Sequence, residues 1–451
     1  MTMASLHSRS LLLILALGLG LPAEVSAQTA APEISAPVAA ELGKLRELTE
    51  TKTYAPALAL IDRLLTAVPA DSYDRALLVQ IKAQIFLTEG NYASVIAPLE
   101  DALRFTERPG FITESAHREA LFLLAQLHQQ QASESKDPAR QRAQLAKALD
   151  YLKRWQALSP APTSDGQLFA ASLYYQQATL DPDRIDAAAL ANARRAANAG
   201  LRLQIKPSDS FYVLLLAAAQ QSGDYTQAAD LLELLVAQKP ANSGYWQQLT
   251  STYLSLASTA NNEREADRFR LRALLTLERA QALGLLRSPI ENQHLANLYL
   301  NLRQFDPAIV LLQKGLADGS LDNTRRNWEL LANASRQARR EPQAIEALEL
   351  AVTRLPTEGQ LEFTLAQLLY AAGRVADART HLEHAVKKGS LEKPGQTRLF
   401  LACTAFELKA YDDADRWARD AAAFADVRKD DLARLSQAIA EARRTPATSK
   451  S

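Results

Sequence analysis

The chain has 451 residues, with 51 basic and 51 acidic side chains, so its formal net charge at pH 7 is zero. This balance argues against nonspecific nucleic-acid binding, which depends on neutralising phosphates, and against adhesion to anionic lipid by charge alone. The single cysteine, Cys403, excludes an intrachain disulfide, so the stability of the fold must come from packing.

The first 27 residues are typical of a secretory signal peptide. Arg9 supplies a positive charge, residues 11–21 are apolar, and a Val-Ser-Ala sequence at 25–27 offers a cleavage site. An apolar stretch of about 11 residues is shorter than the roughly 20 that a membrane-spanning helix needs. We therefore expect export to a bacterial periplasm and no membrane insertion after cleavage. The Ala/Pro-rich segment 28–40 is expected to be a flexible leader.

From residue 41 to residue 426 the sequence repeats with a period of roughly 34–38 residues. In the second half of several repeats two alanines recur seven residues apart, as at Ala344 and Ala351. Seven residues is nearly two helical turns, so both alanines lie on one helix face, where a neighbouring helix can approach closely. This period predicts a solenoid of helix pairs, in which each pair buries its apolar face against its neighbours.

The aromatic and small residues of these repeats resemble the tetratricopeptide repeat (TPR) family. Trp246, Leu249 and Tyr253 carry the family pattern in one first helix, and Trp328 and Leu331 carry it in another. The resemblance implies an all-α fold, namely a right-handed superhelical α-solenoid of about ten TPR-like helix pairs.

The repeat spacing also predicts the organisation of the chain. The solenoid is expected over 41–426, with polar insertions in the units at 115–160 and 243–285. A C-terminal capping helix over 427–443 and a disordered tail over 444–451 are expected to follow it. The second helices are predicted to begin near Tyr54, Tyr92, Leu145, Ala188, Tyr225, Arg270, Phe305, Glu341, Val375 and Tyr411.

Nothing in the sequence forms a catalytic constellation, and we expect no catalytic residues, no cofactor and no metal site. The glycines outside the predicted signal peptide are typical of turns rather than of a phosphate-binding loop. His381 and His384 lie three apart in a predicted second helix and could share a face, as metal ligands do. Because no other His or Cys is close to them in sequence, we interpret them as surface histidines.

In the TPR family the first helices of the pairs line the concave face. Carried over to this sequence, that face forms a stripe whose amides could bind the backbone of an extended peptide, with an aromatic anchor at one end. The alternative is a set of ordinary solvent-facing positions. The predicted stripe comprises Gln247, Ser251, Gln293, Asn297, Asn301, Glu329, Asn333, Arg336, Phe363, Gln367 and Tyr370.

Residues 240–420 show a narrower similarity to periplasmic repeat proteins encoded beside TonB–ExbB–ExbD energy-transduction systems. Trp246 and the stretches 284–299 and 365–389 carry it. It implies a non-catalytic interaction scaffold with protein or peptide partners, among them components of a TonB-dependent transport complex. The alternatives are an adaptor for envelope polysaccharide export or outer-membrane assembly and, from another class, an enzyme.

Overall fold

The computed structural model describes residues 32–444. The predicted signal peptide, residues 28–31 of the leader and the tail after Arg444 lie outside the described residues. Between residues 32 and 444 the secondary structure consists of 21 α-helices and a short 3-10 helix at Leu103–Phe105, without a β-strand. None of the helices in this range is long and apolar enough to cross a membrane. The expectation of an all-α fold is confirmed.

The chain divides at Pro207 and Ser208 into two compact units. The repeat pattern did not predict this boundary, which falls in the segment between two successive helix pairs. The first unit contains α1 (Ala36–Glu50), α2 (Tyr54–Ala67), α3 (Tyr73–Glu89), α4 (Tyr92–Ala102), α5 (Glu114–Glu134), α6 (Pro138–Leu158), α7 (Ser164–Ala178) and α8 (Ala187–Leu201).

The second unit contains six further helix pairs and a final single helix. Its larger core cluster includes Trp328, Leu331, Leu348 and Leu365. A final helix packs against the last pair, where Leu435 and Ile439 are buried. The helices are α9 (Asp209–Gln221), α10 (Tyr225–Gln238), α11 (Ser243–Ser258), α12 (Glu263–Ala282), α13 (Pro289–Asn301), α14 (Phe305–Asp318), α15 (Arg325–Gln337), α16 (Glu341–Arg354), α17 (Gly359–Ala371), α18 (Val375–Lys388), α19 (Pro394–Glu407), α20 (Tyr411–Ala421) and α21 (Lys429–Arg444).

Each odd-numbered helix up to α19 packs against the even-numbered helix that follows it, which gives ten helix pairs. The turn inside the pair has the same form in seven of them. A residue with positive φ stands two positions before the second helix, and the next backbone N–H donates to a carbonyl five residues back, as Arg340 N does to Ser335 O at 2.8 Å. This is the hydrogen bond of a Schellman motif. The positive-φ residues are Lys52, Gly90, Gly223, Arg303, Arg339, Gly373 and Lys409.

The two polar insertions do not form long loops. They lengthen the second helices at their N-termini, because α6 begins at Pro138 and α12 at Glu263, each about two turns before the predicted start. Asp137 and Asn262 cap these extended helices by accepting hydrogen bonds from backbone N–H groups. The added turns of α12 are only partly exposed: Arg264 and Arg268 face solvent, while Ala266 between them is buried.

The predicted flexible leader is wrong in its last part, since residues 36–40 form the first turn of α1. Val38 is buried there, 1% exposed, in a cluster with Leu45 and Ile61. The backbone N–H of Ser35 also donates to Asp74 Oδ1 at 3.0 Å, which fixes the start of the helix. The Ala/Pro-rich composition of the segment suggested flexibility, although one of its apolar side chains, Val38, packs in the core.

In the second unit the first and second helices form separate layers. Side chains join one second helix to the next, as Arg279 of α12 joins Glu233 of α10 at 3.4 Å and Arg340 before α16 joins Asp306 of α14 at 2.7 Å. Successive pairs are also tied by a tyrosine hydroxyl that donates to a glutamate of the preceding second helix. Tyr253 Oη donates to Glu233 Oε1 at 2.9 Å. The first helices keep an exposed side, on which Gln247, Asn301 and Asn333 lie.

Candidate functional site

The eleven side chains of the predicted stripe lie on α11, α13, α15 and α17, the first helices of four consecutive pairs. Within each helix successive members are three or four residues apart, so they share one side. Gln293, Asn297, Glu329 and Phe363 are half-buried and the other seven are exposed, so all eleven are accessible to a ligand. We call the surface that they form the first-helix face.

Three amides recur at one place of the repeat on this face. Asn297, Asn333 and Gln367 each stand two residues after a buried leucine, on α13, α15 and α17 respectively. Their internal hydrogen bonds are long: Gln293 Nε2 donates to Asn297 Oδ1 at 3.5 Å, and Arg336 donates to Asn333 Oδ1 at 3.5 Å. Since bonds at this limit are weak, these amide groups can exchange them for a ligand.

Gln247 is linked to the next first helix. Its Nε2 donates to Glu291 Oε1 at 3.0 Å, across from α11 to α13. Burial alone would raise the pKa of Glu291, but hydrogen bonds from Ser288 and Gln247 outweigh this and hold the pKa below its usual range. Glu291 lies outside the predicted stripe, although the spacing Ser288-x-x-Glu291 is a capping-box signal in the sequence. The structure shows that this capping residue also faces the stripe.

The aromatic end of the face contains a third ring. Phe400 of α19 contacts both predicted anchors edge to face, with ring centroids 5.1 Å from Tyr370 and 6.4 Å from Phe363. Tyr370 is 37% exposed, while the other two rings are half-buried. Phe400 lies outside the predicted stripe, because that stripe ends at α17 and does not include the next first helix, α19.

Charged residues gather at the N-terminal ends of these first helices. Arg325 at the start of α15 contacts Glu329 at 3.9 Å and reaches Glu392, in the segment before α19, at 3.0 Å. Burial raises the pKa of Glu329 above its usual value. The positive charge of Arg325 lowers this pKa, and the negative charges of Glu392 and Glu358 raise it further. Arg325 joins α15 to Glu392, and the backbone N–H of Glu392 donates to Gln360 Oε1 of α17 at 3.1 Å. The N-terminal ends of α15, α17 and α19 therefore lie close together.

His381 and His384 of α18 are not isolated surface histidines. Among residues 32–444, they and Glu362 of α17 form the one group of His, Cys, Asp or Glu whose ligand atoms are close enough to hold a metal ion. Sequence spacing could not show this, because Glu362 belongs to the preceding helix.

No protein-family model matches the chain, and no curated protein matches it. A comparison with solved structures aligns parts of the chain with TPR proteins, at low sequence identity and low TM-scores. A thermophilic TPR protein of Thermus thermophilus is 19% identical over 46% of this chain and 99% of its own, with a TM-score of 0.25. A tetratricopeptide repeat protein from Parabacteroides merdae is 14% identical over 60% of this chain and 99% of its own, with a TM-score of 0.29.

YrrB, described as a TPR protein with an unusual peptide-binding site, is 13% identical. The match covers 48% of this chain and all of YrrB (100%), with a TM-score of 0.32. At TM-scores of this size, the helix pairs and their shared turns, and not these similarities, establish the fold.

Proposed function

We propose that the chain is a non-catalytic interaction scaffold that binds an extended segment of a partner protein along the first-helix face. The observation that carries this proposal is the recurrence of accessible amides at Asn297, Asn333 and Gln367, on three successive first helices. An extended backbone repeats its donors and acceptors, and side-chain amides offer one of each kind.

The neighbouring groups favour particular side chains in the partner. The rings of Phe363, Tyr370 and Phe400 form a place where an aromatic or aliphatic side chain can pack. The carboxyl groups of Glu329 and Glu392 are balanced by a single arginine, Arg325, so this end of the face favours a basic side chain. The proposed ligand is thus an extended segment with an apolar anchor and a basic residue.

The cellular setting of the proposal rests on the sequence. The predicted signal peptide supports a periplasmic location, and the similarity of residues 240–420 supports an accessory role in a TonB-dependent transport complex. An adaptor for envelope polysaccharide export or outer-membrane assembly is the second candidate of the same class. The lack of a catalytic constellation in the sequence disfavours an enzyme.

We expect the mature protein to begin at or near Gln28 and to be recovered from the soluble periplasmic fraction. The short apolar stretch and the Val-Ser-Ala site before Gln28 are the reason. Intact-mass measurement of the protein expressed in a Gram-negative host checks this. A retained N-terminus, or a mass increased by a lipid, would contradict it.

The binding proposal predicts that Asn297→Ala combined with Asn333→Ala weakens partner binding by roughly one to two decades, because each lost hydrogen bond typically costs about 0.5–1.5 kcal/mol. Partners are first captured from an envelope extract and identified by mass spectrometry. The affinity of each purified partner is then measured for wild type and variant. The fold should not change, since neither amide makes a short internal hydrogen bond.

The matched control places two alanines on the second helices of the same two pairs, at exposed Gln313 of α14 and exposed Glu346 of α16. These changes should leave the affinity as it is. Loss of binding in this control, with undiminished binding in the double-asparagine variant, would assign the partner to the second-helix layer and overturn the proposal.

A further inference from the structure

Glu362 is a carboxylate at a position that tryptophan occupies in other pairs. Trp246, Trp328 and Glu362 each stand three residues before a buried leucine of a first helix. The two tryptophans are 2% and 5% exposed, and Glu362 is buried to the same degree, at 3%. Replacing a large apolar ring in the core by a charged group is costly unless other groups compensate the charge.

Three side chains of α18 surround this carboxylate. His381 Nδ1 lies 2.6 Å from Glu362 Oε2, Lys388 Nζ lies 2.7 Å from Oε1, and His384 Nδ1 lies 3.9 Å from Oε1. Burial by itself would raise the pKa of Glu362, but hydrogen bonds from His381 and Lys388 and their charges outweigh it, so the pKa lies below its usual range. Glu362 is therefore a buried carboxylate in its ionised form.

More side chains surround the Glu362 carboxylate than are required to compensate its charge. Lys388 neutralises the charge and His381 occupies the second oxygen, yet His384 also turns its Nδ1 towards the same group, beyond hydrogen-bonding distance. The nitrogen and oxygen atoms of Glu362, His381 and His384 all lie within 4.8 Å of one another. Two imidazoles three residues apart on a helix, with a carboxylate opposite them, are the donor set of a transition-metal site.

We propose that Glu362, His381 and His384 bind one divalent first-row transition-metal cation, with a chemistry suited to Zn²⁺. Zn–N and Zn–O bonds are about 2.0–2.2 Å long, so the three ligand atoms must approach to within roughly 3.3 Å of one another. The ring of His384 is 52% exposed and free to turn inwards by this amount, and it provides the path of access from solvent. Three protein ligands leave a fourth position for water or for a side chain of a partner.

Lys388 competes with the cation. Its ammonium group contacts the same carboxylate, so it must leave when the metal binds, and two positive charges at this distance repel each other. Lys388 stands in the last turn of α18, and its flexible stem can move the charge into solvent. Each histidine binds as neutral imidazole with its proton on Nε2, so acid weakens the site. The bound cation would join the first and second helices of one pair, α17 and α18.

The test is a Zn²⁺ titration of the chelator-treated full chain at neutral pH, in competition with a chromophoric zinc indicator. Wild type should bind one equivalent. His384→Gln, a half-exposed position whose change should leave the fold intact, and the isosteric Glu362→Gln should each weaken the affinity by roughly 100-fold or more. Each removes a direct ligand, which should cost at least as much as the upper end of the cost of losing a residue that only supports a ligand. Lys388→Gln should tighten it roughly tenfold, because it removes a neighbouring positive charge.

The control is His294→Gln on α13, which removes an exposed histidine outside the cluster and should not change the affinity. The melting temperature should rise on addition of Zn²⁺ to wild type and to Lys388→Gln, but not to His384→Gln. Three results would each overturn the proposal: no stoichiometric Zn²⁺ binding, equal affinity in wild type and His384→Gln, or weaker binding by Lys388→Gln. Any of them would mean that Glu362, His381, His384 and Lys388 form only an ion-pair cluster.

Discussion

Replacing Trp246 by alanine should lower the free energy of unfolding by about 3–5 kcal/mol, the usual cost of removing a buried tryptophan ring. The ring is 2% exposed, its Nε1 donates to the carbonyl oxygen of Pro240 at 2.8 Å, and Arg279 stacks over it at 5.1 Å. The substitution therefore leaves a cavity where the ring was. It also removes the hydrogen bond to the Pro240 carbonyl and the ring over which Arg279 stacks. Urea denaturation followed by circular dichroism measures the loss.

Trp246→Phe is the matched control. It keeps an aromatic ring beside Arg279 but loses the hydrogen bond to Pro240, so its loss of stability should be clearly smaller. Equal destabilisation by the two substitutions would mean that the hydrogen bond, and not the volume of the ring, holds the start of α11. A loss below about 1 kcal/mol for Trp246→Ala would contradict the observed burial.

The second large effect is expected from Ala378→Leu, which should cost about 1–3 kcal/mol through overpacking. Ala378 is fully buried on α18, as are Ala344 and Ala414 at the same place of the neighbouring second helices. A leucine there pushes adjacent helices apart, and neighbouring pairs share the damage because stability passes through their common interfaces.

Ala376→Leu on the same helix serves as the control, since Ala376 is exposed and the larger side chain meets solvent. It should leave the thermal unfolding curve nearly unchanged, whereas Ala378→Leu shifts it to lower temperature. Coinciding curves for wild type and Ala378→Leu would mean that α18 does not pack through this alanine.

Much of the helical organisation could be predicted from residues whose role is local. Tyr225, Phe305 and Val375 begin second helices at the predicted positions, because each follows a turn with the same backbone geometry. The starts of α6 and α12 were placed too late. The polar residues there were predicted to be insertions, and the polar side chains on the exposed turns of a longer helix form the same pattern.

The candidate site could be predicted less completely, because its missing members come from neighbouring elements. The repeat positions of Asn297 and Asn333 follow from the family pattern, but the contact of Tyr370 with Phe400 depends on the spacing between α17 and α19. The contact of Glu362 with His381 could not be predicted from the sequence for the same reason. It depends on how one helix packs against the next, and spacing along the chain does not encode that.

The ion pair between Arg325 and Glu392 has a mechanical consequence. Most contacts of the second unit join adjacent helices, but this one ties together segments that are separated by three helices. Any motion that moves the N-terminal end of α15 away from the segment before α19 must lengthen this pair. The two side chains are 35% and 65% exposed, so the tie is weak, of the order of 0–1 kcal/mol, and salt screens it. The resistance of these two segments to moving apart should therefore fall slightly as the salt concentration rises.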